Sequence, residues 1–374
     1  MGVRKVMFVS VVANAIFKSR KELVDLFLKR GYKVIVAAPD NSVDIKTYFD
    51  NNPKITYETW SMSRTGVNFI NDFKSIKDLR SIIRKHNPDL LYSFGGAKAA
   101  IYATIAGSKE NIHKNYCMVN GLGSIIHGKG LKNYILKMIM MILFRYSMKK
   151  SDKVLFQNKD DLNYFLSKKI VTTSKTKIIN GSGVNLKLFP YTKPINLNVF
   201  LFVGRLLKDK GIYEFVEAAK LIKDKYPLVE FWVIGGLDDN PTSVSQDDIN
   251  KWVKNDLITY FGELESVKEY YQKCSVFVLP SFHEGTPRTS LEAMAIGRPI
   301  ITTNTVGCKE TVVDGTNGYL VPVKSVDLIA RKMEFFIQNP DKVTSMGYES
   351  YKLALRKYDV KLINKSILEA FNIL

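Results

Sequence analysis

The chain of 374 residues is poor in the residues that build stapled or metal-held folds, with three cysteines, four histidines and three tryptophans. Cys117, Cys274 and Cys308 are too few and too scattered for a disulfide framework or a zinc site, and each lies in or beside an apolar run. They are expected to be core thiols in a reducing compartment. Long hydrophobic runs are missing too. The longest nearly uncharged apolar stretch, 138–144, falls far short of the roughly 20 residues that span a bilayer, so no transmembrane helix is expected. Residues 1–10 lack the charged, long apolar and small-residue layout of a signal peptide and read as a first strand.

What is present is ample material for a core: 46% of the residues are hydrophobic and 24% charged, which excludes a disordered polyelectrolyte. The length suggests two domains. The formal charge of +19 is unevenly placed, since residues 1–190 hold 32 Lys+Arg against 13 Asp+Glu whereas residues 191–374 hold 23 of each. A basic half beside a neutral half faces something anionic, either nucleic acid or an anionic membrane. Composition leaves both open.

Apolar runs at 5–12, 33–39, 89–94, 115–120 and 153–158 are separated by stretches of helical length. The series pauses over 180–191, where Gly181, Gly183 and Pro190 stand and Pro194 follows, and restarts at 197–203, 229–234, 257–261, 276–280 and 299–303. That order belongs to an α/β fold, a parallel sheet with helices on both faces. Two such sets predict two Rossmann-like domains, 1–183 and 197–358, joined by a linker at 184–196. The tail 359–374 is expected to be a helix returning to the first domain, because Leu362, Ile363, Leu368 and Phe371 form an apolar face with no strand left to cover.

The segment Ser281-Phe282-His283-Glu284-Gly285-Thr286-Pro287-Arg288-Thr289-Ser290-Leu291-Glu292 follows a buried strand and opens a helix. Open α/β sheets bind ligands beyond the carboxyl ends of their strands, where helix N-termini offer amide donors. Glu284 in the loop and Glu292 about two turns into the helix can face one crevice. Carboxylates accept paired hydrogen bonds from sugar or ribose hydroxyls, which suits a nucleotide-sugar better than a bare phosphate. The competing reading makes Glu284 a helix-start charge and Glu292 part of a solvated face. Earlier in the chain, Phe202-Val203-Gly204-Arg205-Leu206-Leu207-Lys208-Asp209-Lys210-Gly211 is a strand end, a turn and a helix start. There the planar fork of Arg205 and the point charge of Lys210 can converge on a diphosphate, or serve only as surface ion pairs. His283 either contacts the donor or shapes its loop, and His86 and His113 read as surface or turn residues.

Gly204-Arg205 with Lys210-Gly211, Glu284 and Glu292 as E-x7-E, Gly297-Arg298-Pro299-Ile300-Ile301 and Gly315-Thr316-Asn317-Gly318-Tyr319-Leu320-Val321 together resemble the retaining glycosyltransferases of family four. The resemblance is strong over 178–322 and extends in element order to the whole chain. It implies the GT-B fold of two facing Rossmann-like domains. It also implies a donor site of Gly204, Arg205, Lys210, Glu284, Gly285, Thr286 and Glu292. In it Arg205 and Lys210 neutralise the donor diphosphate, Glu284 holds hydroxyls of the transferred sugar and Glu292 holds the ribose. Arg205, Lys210 and Glu284 are the expected catalytic residues. The sequence has no D-x-D triplet of the kind that holds a divalent ion in other glycosyltransferases; Asp238-Asp239 could mimic one but reads better as a solvated loop. Neither a cofactor nor a metal is expected.

Asn120-Gly121-Leu122-Gly123-Ser124, Gly235-Gly236-Leu237-Asp238-Asp239-Asn240-Pro241 and Glu284-Gly285-Thr286-Pro287-Arg288 resemble bacterial enzymes that extend undecaprenyl-diphosphate-linked sugars in capsule, O-antigen and protein-glycan assembly. This implies a UDP-sugar donor, with N-acetylgalactosamine the favoured sugar, and a polyprenyl-diphosphate-linked saccharide acceptor. The chain departs from many family members in lacking a Gly-rich turn at Val12-Ala13-Asn14-Ala15 and a histidine at Ser93-Phe94-Gly95-Gly96-Ala97-Lys98.

The basic half then acquires a meaning. Residues 111–151 contain no acidic residue but hold Lys114, Lys129, Lys132, Lys137, Arg145, Lys149 and Lys150 around the apolar helical stretch 131–146. Such a helix can lie in the headgroup layer of an anionic membrane, at roughly 1 kcal/mol per basic residue, or it can be a buried core helix. Gly121, Gly123, His127, Lys129, Lys132, Lys137 and Arg145 are the expected acceptor and membrane residues, on a protein held peripherally at the cytoplasmic face of the inner membrane. Three rivals remain. The stretch 123–130 misses a P-loop because Gly130 stands where Ser or Thr must hold magnesium. Nucleic-acid binding would use the charge, but no recognised module is present and no nucleic-acid partner is expected. A nucleotide-sugar 2-epimerase would share the fold and the donor, and would turn over donor without acceptor.

Overall fold

Runs of β-branched and aromatic residues flanked by polar turns form the strands of two parallel sheets, seen in a computed structural model that describes residues 3–39, 52–62, 69–121, 130–195, 198–238, 240 and 242–373. The chain divides into two compact units, residues 1–182 with 363–374, and residues 183–362.

In the first unit the strands are β1 (Lys5–Ser10), β2 (Lys33–Ala38), β3 (Ile55–Thr59), β4 (Leu90–Phe94), β5 (Lys114–Val119), β6 (Lys153–Phe156) and β7 (Thr176–Ile178). They lie in the order β3-β2-β1-β4-β5-β6-β7. Central strand β1 pairs in parallel with β2 and β4, Val6 standing opposite Val34 on one side and Leu90 on the other. Its neighbour β4 is buried at every position, as a strand covered on both faces must be. Among the described residues the helices are α1 (Ala13–Lys29), α2 (Phe69–His86), α3 (Ala97–Lys109), α4 (Leu131–Lys150) and α5 (Lys159–Ser167).

The second unit repeats the plan with β8 (Val199–Val203), β9 (Glu230–Ile234), β10 (Thr259–Tyr260), β11 (Val276–Leu279), β12 (Ile300–Thr303) and β13 (Gly318–Val321), in the order β10-β9-β8-β11-β12-β13. Its helices are α6 (Ile212–Lys223), α7 (Gln246–Lys254), α8 (Lys268–Lys273), α9 (Arg288–Ile296), α10 (Val326–Gln338) and α11 (Pro340–Leu353). In each sheet the strand order reverses once, between β1 and β4 and between β8 and β11. Such a reversal opens a crevice at the carboxyl ends of the two strands.

Residues 184–195 belong to the second unit. Val184 and Phe189 enter its core, and the Val184 amide donates to the Tyr358 carbonyl at 2.8 Å. The last helix, α12 (Val360–Ala370), carries the chain back, and Ile363, Ile367, Leu368 and Phe371 join the core of the first unit. The Phe371 ring stacks on Tyr116 with centroids 4.2 Å apart. Leu362, placed on this apolar face by sequence, is instead exposed, because the helix turns its buried face one residue further on.

All three cysteines are fully buried. Burial pushes the Cys117 thiol up to about 11 and the Cys274 thiol up to about 12, as core thiols require. His113 is exposed. His86 is not the surface residue the sequence suggests: its Nε2 lies 2.6 Å from Glu58 Oε1 and its side chain is largely covered.

Candidate active site

The turn after β8 and the loop after β11 meet at the crevice of the second sheet. Gly204 continues β8, its amide donating to the Ile234 carbonyl at 3.0 Å, and a short helical turn, Lys208–Lys210, follows. At Gly211 the backbone is left-handed (φ +75°), and a Cβ there would lie 2.2 Å from the Pro280 carbonyl oxygen. Only glycine fits both conditions. That close approach seats the Lys210 turn on the end of β11, where the Phe282 amide (2.8 Å) and Ser281 Oγ (3.1 Å) both donate to the Asp209 carbonyl.

The consequence is an ion pair between two of the three expected catalytic residues. Lys210 Nζ lies 2.5 Å from Glu284 Oε1, with each side chain 16% exposed. A second glycine secures the far side of the loop. Gly307 (φ +78°) would place a Cβ 2.1 Å from the Glu284 carbonyl oxygen, and the Glu284 amide donates to the Val306 carbonyl at 3.1 Å. Glu284 and Gly285 are therefore clamped between two turns. Thr286 is all but buried beside them.

Glu292 is not on a solvated face. It is 7% exposed, and its Oε1 accepts from Arg288 Nε at 2.8 Å while Oε2 accepts from Tyr271 Oη at 3.3 Å. Burial, and next the Glu292 charge, push the Tyr271 hydroxyl well above the usual tyrosine range, so it stays a neutral donor. The i,i+4 spacing of Arg288 and Glu292 could have been read as a helical pair. Tyr271 carries no such signal, since it reaches Glu292 from another helix. Helix α9 begins without a side-chain cap, so its first amides remain donors beside the loop.

Arg205 leaves β8 with its guanidinium 54% exposed and its Nη1 3.0 Å from Asp238 Oδ2. Asp238 is thus not in a solvated loop: its carboxylate is 17% exposed and tied to the arginine. Among the described residues no group of three His, Cys, Asp or Glu is arranged to hold a metal ion. The second unit thus presents two cations, Arg205 and Lys210, each paired with a carboxylate, and a third held carboxylate, Glu292.

In the first unit, Gly121 follows β5 with φ +113°, and Asn120 Oδ1 beside it accepts from the Gly95 amide at 2.8 Å. Gly123, His127 and Lys129 lie outside the described residues. Lys132 falls in the first turn of α4, Lys137 Nζ stands 6.0 Å from the Tyr164 ring centre, and Arg145 Nη2 donates to the Lys168 carbonyl at 2.9 Å. Helix α4 has two apolar faces. Met140, Phe144 and Met148 are buried in the core of this unit. On the opposite side Leu131, Tyr134, Ile135, Met138, Ile142 and Tyr146 are between 45% and 76% exposed. Their spacing of three and four residues makes one stripe, about 22 Å long at 1.5 Å per residue. The exposed Arg145 and Lys149, seven and eleven residues after Met138, rise from the same face. The core-helix reading thus describes one side of α4, and the other side is an exposed apolar stripe. No helix among the described residues is long and apolar enough to cross a membrane.

Residues 5–158 match the family described as glycosyl transferase 4-like, and residues 186–353 match glycosyl transferases group 1. The chain is 25% identical to the Campylobacter jejuni N,N'-diacetylbacillosaminyl-diphospho-undecaprenol alpha-1,3-N-acetylgalactosaminyltransferase, with 98% of each chain covered. It is 26% identical to the Escherichia coli UDP-Gal:alpha-D-GlcNAc-diphosphoundecaprenol alpha-1,3-galactosyltransferase, covering 70% of this chain and 69% of that one. Among solved structures, Anabaena HepE in complex with UDP and glucose superposes with a TM-score of 0.76 at 17% identity, covering 99% of this chain and 100% of that one. Sucrose-phosphate synthase from Thermosynechococcus elongatus does so with a TM-score of 0.77 at 18% identity, covering 99% and 98%. With two such matches spanning most of its length and this architecture in both units, the chain belongs to the GT-B glycosyltransferases that join a family 4-like N-terminal domain to a group 1 C-terminal domain.

Proposed function

We propose that the protein transfers N-acetylgalactosamine from UDP to a polyprenyl-diphosphate-linked saccharide, with retention at the anomeric carbon and without a metal ion, in the assembly of a bacterial surface polysaccharide or glycan. The observation that carries this reading is the Lys210–Glu284 pair, held at the switch point of the second sheet with Arg205 on the same rim. Arg205 and Lys210 receive the charge that builds on the leaving diphosphate as the bond from C1 to its phosphate oxygen breaks. Fixed cations in a partly covered site can supply that stabilisation. Glu284 takes hydroxyls of the departing sugar, with the Gly285 and Thr286 amides beside it, and Glu292 takes the ribose. The acceptor hydroxyl bonds to C1 on the face the phosphate leaves, and its proton passes to the phosphate oxygen, so no separate base is required.

The acceptor assignment is supported by the activities of the Campylobacter jejuni and Escherichia coli relatives, both named for action on undecaprenyl-diphosphate-linked sugars. The stripe on α4 supports the surface on which such an acceptor is met. Apolar side chains interleaved with Arg145 and Lys149 fit an anionic lipid headgroup layer better than a nucleic acid, which offers no apolar phase. The enzyme then works as a peripheral protein on the cytoplasmic face of the inner membrane. Incubation with UDP-N-acetylgalactosamine and a short-chain polyprenyl-diphosphate saccharide in excess chelator, followed by NMR of the new linkage, tests the mechanism. An α-linked product at an undiminished rate is expected; a β-linkage, or a reaction abolished by the chelator and restored by magnesium, contradicts it.

A further inference from the structure

The loop between β9 and α7 turns back on the segment that follows β8. The Leu206 amide donates to the Gly236 carbonyl (3.3 Å), Val244 to Leu206 (2.9 Å) and Lys208 to Thr242 (2.9 Å), and Leu207 and Ser243 form an antiparallel bridge. Asp238 is carried on this returning loop. Its amide donates to Ser243 Oγ at 3.1 Å, and its Oδ1 accepts from the Asn240 amide at 3.0 Å. Asn240 is held in turn, because its Oδ1 accepts from the Thr242 amide and hydroxyl at 3.0 and 2.9 Å. The remaining oxygen, Oδ2, accepts from Arg205 Nη1.

The asymmetry of exposure matters. The carboxylate is largely covered and the guanidinium is half in solvent, so the fixed partner is Asp238 and the steered one is Arg205. A guanidinium carries five donors in a planar fork. Asp238 engages one of them, and the edge formed by Nε and Nη2 makes no hydrogen bond among the described residues. An exposed arginine without such a tether samples many rotamers, and the cation must then be recruited at the moment charge develops. A tethered one is preorganised.

We propose that Asp238 is a positioning residue for transfer: it holds the Arg205 guanidinium so that its open edge faces the donor diphosphate. The proposal rests on the role given to Arg205 above. Asp238→Asn keeps an oxygen for the Asn240 amide and removes the acceptor and charge that face Arg205. It is expected to lower kcat/KM for the UDP-sugar about 10-fold, the loss of one charge-assisted hydrogen bond, and to weaken UDP binding several-fold by calorimetry. In an Arg205→Ala background the same substitution is expected to cost nothing further. An equal loss in both backgrounds assigns Asp238 to the folding of its loop and overturns the proposal, as does unchanged or tighter UDP binding by Asp238→Asn. If Arg205→Ala alone transfers at the native rate, the role of Arg205 fails, and this proposal with it; if Arg205→Ala is impaired but Asp238→Asn is not, only this proposal fails.

Discussion

Replacing Ile135 and Ile142 together by glutamate tests the proposed lipid contact of α4 without touching the crevice of the second unit. These side chains are 50% and 59% exposed, so they are free to enter a headgroup layer. Fully burying an isoleucine is worth about 1.5–3 kcal/mol, and at half exposure each contributes about 1 kcal/mol to membrane binding. A carboxylate facing an anionic surface adds a repulsion of about 1 kcal/mol, by analogy with the attraction of one basic residue. The pair should therefore lose about 4 kcal/mol, which at 1.4 kcal/mol per decade is between 100-fold and 1,000-fold, roughly, in partition. Co-sedimentation with vesicles of one-third anionic lipid reads this directly. Leu228→Glu with Val253→Glu, two exposed apolar residues of the second unit, is the control and should leave partition unchanged. Transfer to a long-chain acceptor in vesicles should fall with binding, while transfer to a short-chain soluble acceptor should hold. Partition equal to the native protein's would refute the assignment of this face to lipid.

At the donor site, Arg205→Ala, Lys210→Ala and Glu284→Ala should each cost at least about 100-fold in kcat, as removal of one transition-state stabiliser does; near-native rates in all three remove the donor assignment. Tyr271→Phe should raise the donor KM about 10-fold with little change in kcat, because it frees one oxygen of Glu292 while the core keeps its shape; an unchanged KM detaches Glu292 from the donor. Gly211→Ala should destabilise the fold by about 1–3 kcal/mol in urea titration, since the left-handed turn packs on Pro280 with no room for a methyl group; an unshifted midpoint contradicts the packing described.

Strands β1, β2, β4, β5 and β6 of the first sheet and β8, β9, β11 and β12 of the second are legible in sequence because they are largely covered on both faces, and the chain must then write an apolar run; β10 is legible within the run 257–261. Edge strands carry no such demand. Only Ile55 is buried in β3, and no residue of β7 is, so neither registers as a run. Helix α4 defeats periodicity for the opposite reason: it is apolar on two opposite sides, so the pattern does not separate the side that meets the core from the side that meets solvent. The positions of Glu284 and Lys210 follow from strand ends and turn chemistry, which are local. Their partners do not. Asp238 reaches Arg205 across 33 residues and Tyr271 reaches Glu292 across 21, and such pairings exist only once the sheet has brought neighbouring strand ends together. The sequence therefore undervalued Asp238 as a solvated loop residue and Glu292 as a possible surface charge, because burial is a property of the assembled crevice.

The claim that this chain extends a lipid-linked saccharide is tested most directly by mass spectrometry of a polyprenyl-diphosphate disaccharide and monosaccharide incubated with the enzyme and a panel of UDP-sugars. One acceptor should gain the mass of a single N-acetylhexosamine with UDP-N-acetylgalactosamine, and the Lys210→Ala enzyme should produce none in the same time. Consumption of the nucleotide-sugar with no change in acceptor mass, as a 2-epimerase would give, contradicts it.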